Sequence, residues 1–529
     1  MADELVKVAE DSARGSFFLI SGSALSTGIL AISSILVARF LGPELYGQYT
    51  LALVVPQLLF LFTDLGINQG IMKFTASLRV QGETTRLTQM IKYGLLLRAV
   101  IGIAIFAVSF AFADFFAAAF LQRPDLAVYI RIASTAVVFQ VIFTTAISAF
   151  VGFDKTEYHA LALNIQAIAK TIISIALVLV GFSLTGALLG HAASYVIAAA
   201  AGALILVLML REKEDRQEKS SVTDDLKTLI HYGAPLSISW VLIGLIPFYQ
   251  NVILAMFTTD ADIGNYKAAI NFATLLAVLA ISITTALLPA FSKLDALTRQ
   301  ETKAFFKAAS KYTTMLVMPI TTLIILFSGE IVEIIYGSTY QSAALFLAIY
   351  SLVYLLVGLG YLTLSSFYNG LGKTKTTMMI SLITFFSLAG LSPLFAATHG
   401  VIGVIMAFLI ASTAGIVYGA YTARTRFGIE FEFRLKGKIY LVAILSTPPP
   451  LILLQFSPLP MLFNVGAGAL LYLFTYATLI PLTKIIDQSE LQFVKDILQR
   501  IKPLKPITGP LIRYQKKILN LKKPQTLLS

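Results

Sequence analysis

The sequence predicts an all-α polytopic membrane protein, with fourteen transmembrane helices in two pseudo-repeated six-helix lobes plus two C-terminal helices. Three observations carry that expectation. Of 529 residues, 57% are hydrophobic and only 13% are charged, with a mean hydropathy of +0.81, whereas a soluble protein carries about 25% charged residues. The apolar residues gather into runs of about 20, the length at which a helix crosses a bilayer. Finally, short motifs recur at a nearly fixed offset of 217–218 residues.

So little charge cannot cover the surfaces of several soluble domains. Cysteine is absent, which excludes disulfides, thiolate catalysis and cysteine metal sites. The histidines His159, His191, His231 and His399 are scattered, without metal-ligand spacing. Neither a catalytic cluster nor a metal site is expected. The net charge of +12 points to basic membrane-proximal loops, not to nucleic acid.

The fourteen spans are expected near 16–40, 46–70, 91–116, 126–151, 159–181, 183–210, 228–257, 264–291, 312–336, 342–368, 376–397, 399–421, 438–456 and 460–483. The organisation that follows is an N-terminal segment 1–15, a first lobe 16–210, a linker 211–227, a second lobe 228–421, two further helices within 438–483 and a tail 484–529. The first apolar run is too long for a signal-peptide core. Of 40 Lys and Arg, 34 fall on the side of the termini and three at most (Arg39, Arg123, Lys267) on the other. By the positive-inside rule both termini are cytoplasmic in the cell membrane. External loops are about ten residues at the longest (117–126), which leaves no room for the catalytic loop of a membrane glycosyltransferase.

The repeat sets the functional expectation. Gly47-Gln48-Tyr49 matches Gly264-Asn265-Tyr266, Gly152 and Lys155 match Gly370 and Lys373, and Gly186 matches Gly403. Parallel repeats of this kind are a transporter architecture, with the site between lobes near the midplane. A Lys, Arg or Asp deep in a membrane costs about 2.5–3.5 kcal/mol on insertion scales. The first lobe nevertheless carries Arg39, Asp64, Arg98, Arg131, Lys170 and His191 in or at the ends of spans. Their partners at the repeat offset are Met256, Ile281, Met315, Ala348, Leu388 and Phe408, all apolar. The scaffold is thus built twice and charged once.

Arg39, Arg98, Arg131 and Lys170 are the candidate lining of an anion-attracting cavity, since guanidinium forks in particular suit phosphate. Lys170 stands about 16 Å into its span at 1.5 Å per residue, beyond the reach of snorkelling. Asp64 is either a coupling site for H⁺ or Na⁺ or a structural counter-ion to one of these cations. Tyr350, Tyr354, Tyr361 and Tyr368 are spaced for one stripe along span 10, as sugar contacts or as packing and interfacial residues. In the tail, Leu491, Val494, Ile497, Leu498 and Ile501 share a helix face, and Lys516, Lys517, Lys522 and Lys523 follow. That pattern suits an anionic membrane leaflet.

Several stretches carry a resemblance: ARFLGPELYGQY (38–49), FTDLGINQGIMKF (62–74), GNYKAA (264–269), LLPAFSKL (287–294), IIYGSTYQSA (334–343) and NGLGKTK (369–375). In order and spacing they resemble the polysaccharide-transporter branch of the multidrug/oligosaccharidyl-lipid/polysaccharide exporter superfamily, the O-antigen (Wzx-type) and lipid II (MurJ-type) flippases. The resemblance implies a flippase, not an enzyme, working by alternating access on a polyprenyl-diphosphate-linked oligosaccharide. It also implies a cationic cavity, with Arg39 and Asp64 in the segments that carry an arginine and an acidic residue in relatives, and a lipid-facing groove at the last two helices. Many relatives have an acidic residue in span 7; here the stretch reads Tyr249-Gln250-Asn251-Val252, so coupling through span 7 is not implied. The expected partners are the lipid-linked anionic oligosaccharide and membrane lipids. No cofactor beyond a coupling ion is expected, and the protein is expected to act as a monomer. A multidrug/cation antiporter of the same superfamily is the main alternative, but its acidic cavity fits Arg98 and Lys170 poorly. A membrane enzyme is the less favoured one.

Overall fold

In a computed structural model, described for residues 2–211, 222–294, 299–492 and 505–521, every regular element is helical. In chain order these are α1 (Ala2–Phe60), α2 (Ile67–Gln81), α3 (Thr84–Ala111), the single turn α4 (Ala113–Phe115), α5 (Ala127–Gly152), α6 (Thr156–Leu177), α7 (Ser183–Arg211), α8 (Val222–Phe257) and α9 (Asp260–Leu294). There follow α10 (Arg299–Leu326), α11 (Ser328–Tyr336), α12 (Gln341–Leu355), α13 (Thr363–Gly370), α14 (Thr374–Phe427), α15 (Phe433–Leu445), α16 (Pro448–Phe456), α17 (Met461–Leu482) and α18 (Lys505–Leu521).

Among the described residues, nine helical runs are long and apolar enough to cross a membrane. Three of them, of 43, 55 and 54 residues, exceed one crossing, since about 20 residues suffice. Each is broken by left-handed backbone where two expected spans meet: at Gly42 (φ 76°), at Gly181 (φ 101°) with Ser183, and at Gly400.

The internal repeat is visible in the backbone. Ser183 (φ 47°, ψ −129°) and Gly400 (φ 53°, ψ −129°) share one rare conformation, 217 positions apart. A second matched turn closes α5 and α13. Lys155 N–H donates to Phe150 O at 2.8 Å, and Lys373 N–H donates to Tyr368 O at 2.7 Å. The left-handed residue before each is Asp154 (φ 55°) or Gly372 (φ 65°).

Two breaks are not repeated. The chain leaves α1 through a 3₁₀ turn (Leu61–Thr63) and a left-handed step at Leu65 and Gly66 before α2, whereas α9 runs on through the matching Ile281. Conversely, α12 gives way to a 3₁₀ turn (Leu356–Leu359) and Gly360 (φ 98°), while the matching part of α5 is continuous. The second break is filled by Tyr440 of α15, whose hydroxyl donates to Leu355 O and accepts from Gly358 N–H at 3.1 Å.

The chain divides into two compact units, Met1–Asn271 with Ser392–Val404, and Phe272–Leu391 with Ile405–Ser529. The first has a core of Ile67, Ile71, Met90, Phe143, Phe150 and Leu229 from α2, α3, α5 and α8. The second has an aromatic core of Phe291, Phe306, Phe367 and Tyr368. In the second unit Lys311 of α10 donates to both carboxylate oxygens of Glu490, at 2.6 and 2.7 Å. Nearby, Asp487 accepts from Glu490 N–H and Ser489 Oγ, which hold its exposed carboxyl below the usual carboxylate range. The tail helix α18 packs along α17 through Tyr514 OH on Thr478 Oγ1 (2.9 Å) and buried Ile512 and Ile518. The amphipathic stretch expected at 494–501 lies outside the described residues, as do Lys522 and Lys523 and most of the linker.

In the first unit, the second half of α1 and the start of α9 cross in backbone contact. A Cβ on Gly47 would overlap the carbonyl oxygen of Asp260, and one on Gly264 would overlap that of Pro43. The contact is reciprocal under the repeat, since Pro43 and Asp260 are also 217 apart. It is tied by Gln48 Nε2 to Asp260 Oδ2 (3.1 Å) and Arg123 Nε to Asp260 Oδ1 (2.9 Å). Asn271 Nδ2 adds bonds to Ser34 Oγ and Tyr46 OH, both 2.7 Å. Because backbone blocks the way, Gly47→Val should cost at least the 1–3 kcal/mol typical of overpacking. Gly437, with open space around its missing Cβ, should accept Val within about 0.5 kcal/mol. Thermal melts of the two variants in one detergent check this; equal melts would mean that the helices do not cross here.

Candidate functional site

The charged residues expected in the first lobe separate into neutralised and unneutralised groups. Arg98, expected to line the cavity, is instead 1% exposed and fully engaged. Its Nη1 donates to Asn68 Oδ1 (2.6 Å), Thr145 Oγ1 (2.9 Å) and Thr144 Oγ1 (3.1 Å). Its Nη2 donates to Thr63 Oγ1 (3.3 Å), and its Nε reaches Thr63 O at 3.5 Å. The guanidinium therefore serves the unrepeated break between α1 and α2, where carbonyls lack helical partners and need donors.

Asp64 belongs to the same knot. Its Oδ1 lies 3.7 Å from Arg98 Nε and accepts Asn68 N–H at 3.0 Å, and its side chain is 25% exposed. The partly exposed carboxylate is both counter-ion and helix cap in this conformation. Arg131 is likewise spoken for: it pairs with Asp114 at 2.5 Å and lies over the Phe110 ring, at the α3–α5 end and away from the Arg98 knot. Arg39 is exposed, just before the Gly42 break.

Lys170 differs. It is half-buried on α6, and among the described residues it has neither an ion pair nor a hydrogen bond. Its position follows from the antiparallel seam of α6 and α7. Gln166 Nε2 donates to Ser194 Oγ (3.1 Å) and Ser174 Oγ to Ala187 O (3.4 Å). Lys170 is one turn from both Gln166 and Ser174, so it sits in the seam between those bonds. Its repeat partner, Leu388, is buried.

Lys267, counted from the sequence on the side opposite the termini, falls within α9. The helix begins at Asp260, which puts Lys267 two turns inside, half-buried and one turn before Asn271. It too has neither an ion pair nor a hydrogen bond among the described residues. The acidic first turn of α9, Asp260 and Asp262, was the signal for that earlier start. An ammonium group left without a counter-ion inside a span can hold an anion.

The tyrosines do not form one uninterrupted stripe, because the 3₁₀ turn and Gly360 intervene. Tyr354 and Tyr361 meet edge to face at 6.1 Å, Tyr350 stacks on Phe408 at 5.5 Å, and Tyr368 donates to Gly419 O at 2.6 Å. Tyr354 and Tyr368 are buried, and Tyr350 and Tyr361 are half-buried, so packing accounts for the first pair. Among the described residues no group of three or more His, Asp or Glu could hold a metal.

Residues 12–295, more than half of the chain, match the family described as polysaccharide biosynthesis protein. The chain belongs to that family. No curated protein matches the sequence. Among solved structures it is similar to the lipid II flippase MurJ in an inward closed conformation, at 19% identity and TM-score 0.68, over 88% of this chain and 99% of that one. A multidrug resistance MATE family transporter of the same superfamily, inward-facing, matches at 16% identity and TM-score 0.65, over 76% and 94%. A superfamily transporter from Pyrococcus furiosus, with a binding pocket described as of reverse polarity, matches at 17% and 0.55, over 79% and 95%. At these identities the likeness establishes the fold: that of the exporter superfamily named from the sequence motifs.

The two arginines should separate on mutation. Arg98→Leu strands the polar groups it serves, and loss of one member of a buried pair costs about 3–5 kcal/mol. Arg131→Leu breaks a pair whose side chains are 31% and 70% exposed and should cost under about 1 kcal/mol. Melting temperatures of the purified variants check the ranking, and an Arg98→Leu protein as stable as Arg131→Leu would contradict the wall assignment.

Proposed function

We propose that this polysaccharide biosynthesis protein is a flippase, which moves a polyprenyl-diphosphate-linked oligosaccharide from the cytoplasmic to the outer leaflet by alternating access. The observation that carries the reading is Lys170, half-buried on α6 with neither an ion pair nor a hydrogen bond among the described residues. A buried cation left without a counter-ion is expensive, and here the repeat offers a version of the fold with leucine at the Lys170 position. An anionic cargo supplies the missing counter-charge during each cycle. The fold it shares with a lipid II flippase supports the same class of cargo, and the motif resemblance supports the polyprenyl carrier.

On this reading both termini and the basic loops face the cytoplasm, where the cargo is loaded. Arg39, exposed beside the Gly42 break, is a further cargo contact, and Tyr350 and Tyr361 are candidate sugar contacts. Asp64 can be a coupling site only by leaving Arg98 in another state of the cycle, because a ligand shifts an equilibrium only through unequal affinity for its states.

The test uses lipids extracted from cells that depend on the chain, analysed by mass spectrometry. Lys170→Ala should cause the lipid-linked oligosaccharide to accumulate untransported. Losing one charged contact to phosphate is worth about 1.5–3 kcal/mol, roughly tenfold or more in affinity. Lys170→Arg, which keeps the charge in a different shape, should be intermediate. Wild-type lipid pools in a well-expressed Lys170→Ala strain would sink the reading.

A further inference from the structure

Lys170 faces a second group that the reading above does not use. The two hydrogen bonds that fix the α6–α7 seam, Gln166 to Ser194 and Ser174 to Ala187, bracket Lys170 on one helix and His191 on the other. His191 is three residues before Ser194 and four after Ala187, so it shares their face of α7. It is 5% exposed. Neither ring nitrogen has a hydrogen-bond partner among the described residues. Its ring meets that of Tyr195 edge to face at 5.2 Å.

Packing alone does not call for histidine here. The repeat partner is Phe408, which stacks on Tyr350 at 5.5 Å and 6°, so the fold accepts an apolar ring at this place. Buried polar atoms are as a rule hydrogen-bonded, and an orphaned one asks for a partner that the structure does not hold. Imidazole presents at least one N–H donor in either protonation state. Lysine presents three donors and no acceptor. Both groups can therefore donate to one oxyanion, and a phosphoryl group has oxygens enough for both.

We propose that His191 and Lys170 form an oxyanion seat in the α6–α7 seam, in which His191 donates a ring N–H to a phosphoryl oxygen of the cargo while Lys170 supplies the charge. The seat rests on the flippase reading and adds to it a binding residue of a different chemical type. It explains why the ring position is polar in one repeat and apolar in the other.

The experiment uses the full chain, purified in nanodiscs, with farnesyl diphosphate as the probe and farnesol as its neutral control. Affinity is measured by calorimetry for the wild type, His191→Phe, His191→Gln and Lys170→Ala. Loss of one charge-assisted hydrogen bond should weaken His191→Phe by about tenfold, and His191→Gln, which retains an N–H, should recover most of that. In a histidine-labelled ¹⁵N spectrum the chain has only four histidines, and the signal missing from His191→Gln identifies His191. Farnesyl diphosphate, and not farnesol, should shift it. If His191→Phe binds like the wild type while Lys170→Ala does not, the seat is wrong and the anion cavity stands. If the folded wild type does not bind farnesyl diphosphate, the cavity reading and the seat fall together. If His191→Phe does not fold, the wild-type spectrum decides: a His191 signal unmoved at saturating probe overturns the seat.

Discussion

A charge placed among apolar helices must meet a partner, and this requirement organises the first unit. The scarcity of water inside a bundle makes each unmatched ion costly, so a charged side chain there calls for a partner. Arg98 is tied: five hydrogen bonds and a nearby carboxylate turn it into the keystone of a helix break. Arg131 and Arg123 are tied to Asp114 and Asp260. Lys170 and Lys267 are the contrast, and the functional reading follows from that contrast more than from the number of positive charges.

The internal repeat acts as a built-in control. Where the two copies agree, as in the matched φ and ψ of Ser183 and Gly400 or the matched turns after α5 and α13, the feature serves the fold. Where they differ, the difference points to specialisation. The first copy has the broken helix with Asp64 and Arg98, and the seam with Lys170 and His191. The second has apolar residues at those places and a tyrosine-filled break of its own at Gly358. The crossing of Gly47 and Gly264 joins two equivalent positions, and each must lack a side chain because a backbone carbonyl of the other helix, Asp260 or Pro43, lies against it.

Much of this was legible in the sequence, for a physical reason. Spans of about 20 apolar residues leave little choice but helix, and Gly42-Pro43 reads as a break because proline lacks an N–H and glycine accepts left-handed backbone. The repeat offset was likewise readable from residues such as Gly186 and Gly403. What could not be read was the fate of individual charges. Arg98 and Lys170 both look like cations inside spans, and what separates them is Asn68, Thr144 and Thr145, whose proximity to Arg98 depends on packing between helices. The start of α9 at Asp260 precedes the expected span start at Gly264 by one helical turn, because sequence signals are weakest at helix ends. The tyrosine stripe is interrupted by a 3₁₀ turn and the left-handed Gly360, across which Tyr354 and Tyr361 still meet.

The central claim is that a positive charge at residue 170 is what transport requires, and the absence of native cysteine allows it to be tested directly. In a Lys170→Cys protein, transport of the lipid-linked oligosaccharide is measured before and after modification with an aminoethyl thiosulfonate, which forms a mixed disulfide carrying an ammonium group on a chain one atom longer than that of lysine. A neutral methylating thiosulfonate serves as the control. The account predicts that Lys170→Cys is impaired, that aminoethylation restores transport, and that methylation does not. Full transport by unmodified Lys170→Cys, or equal rescue by the neutral reagent, would contradict it.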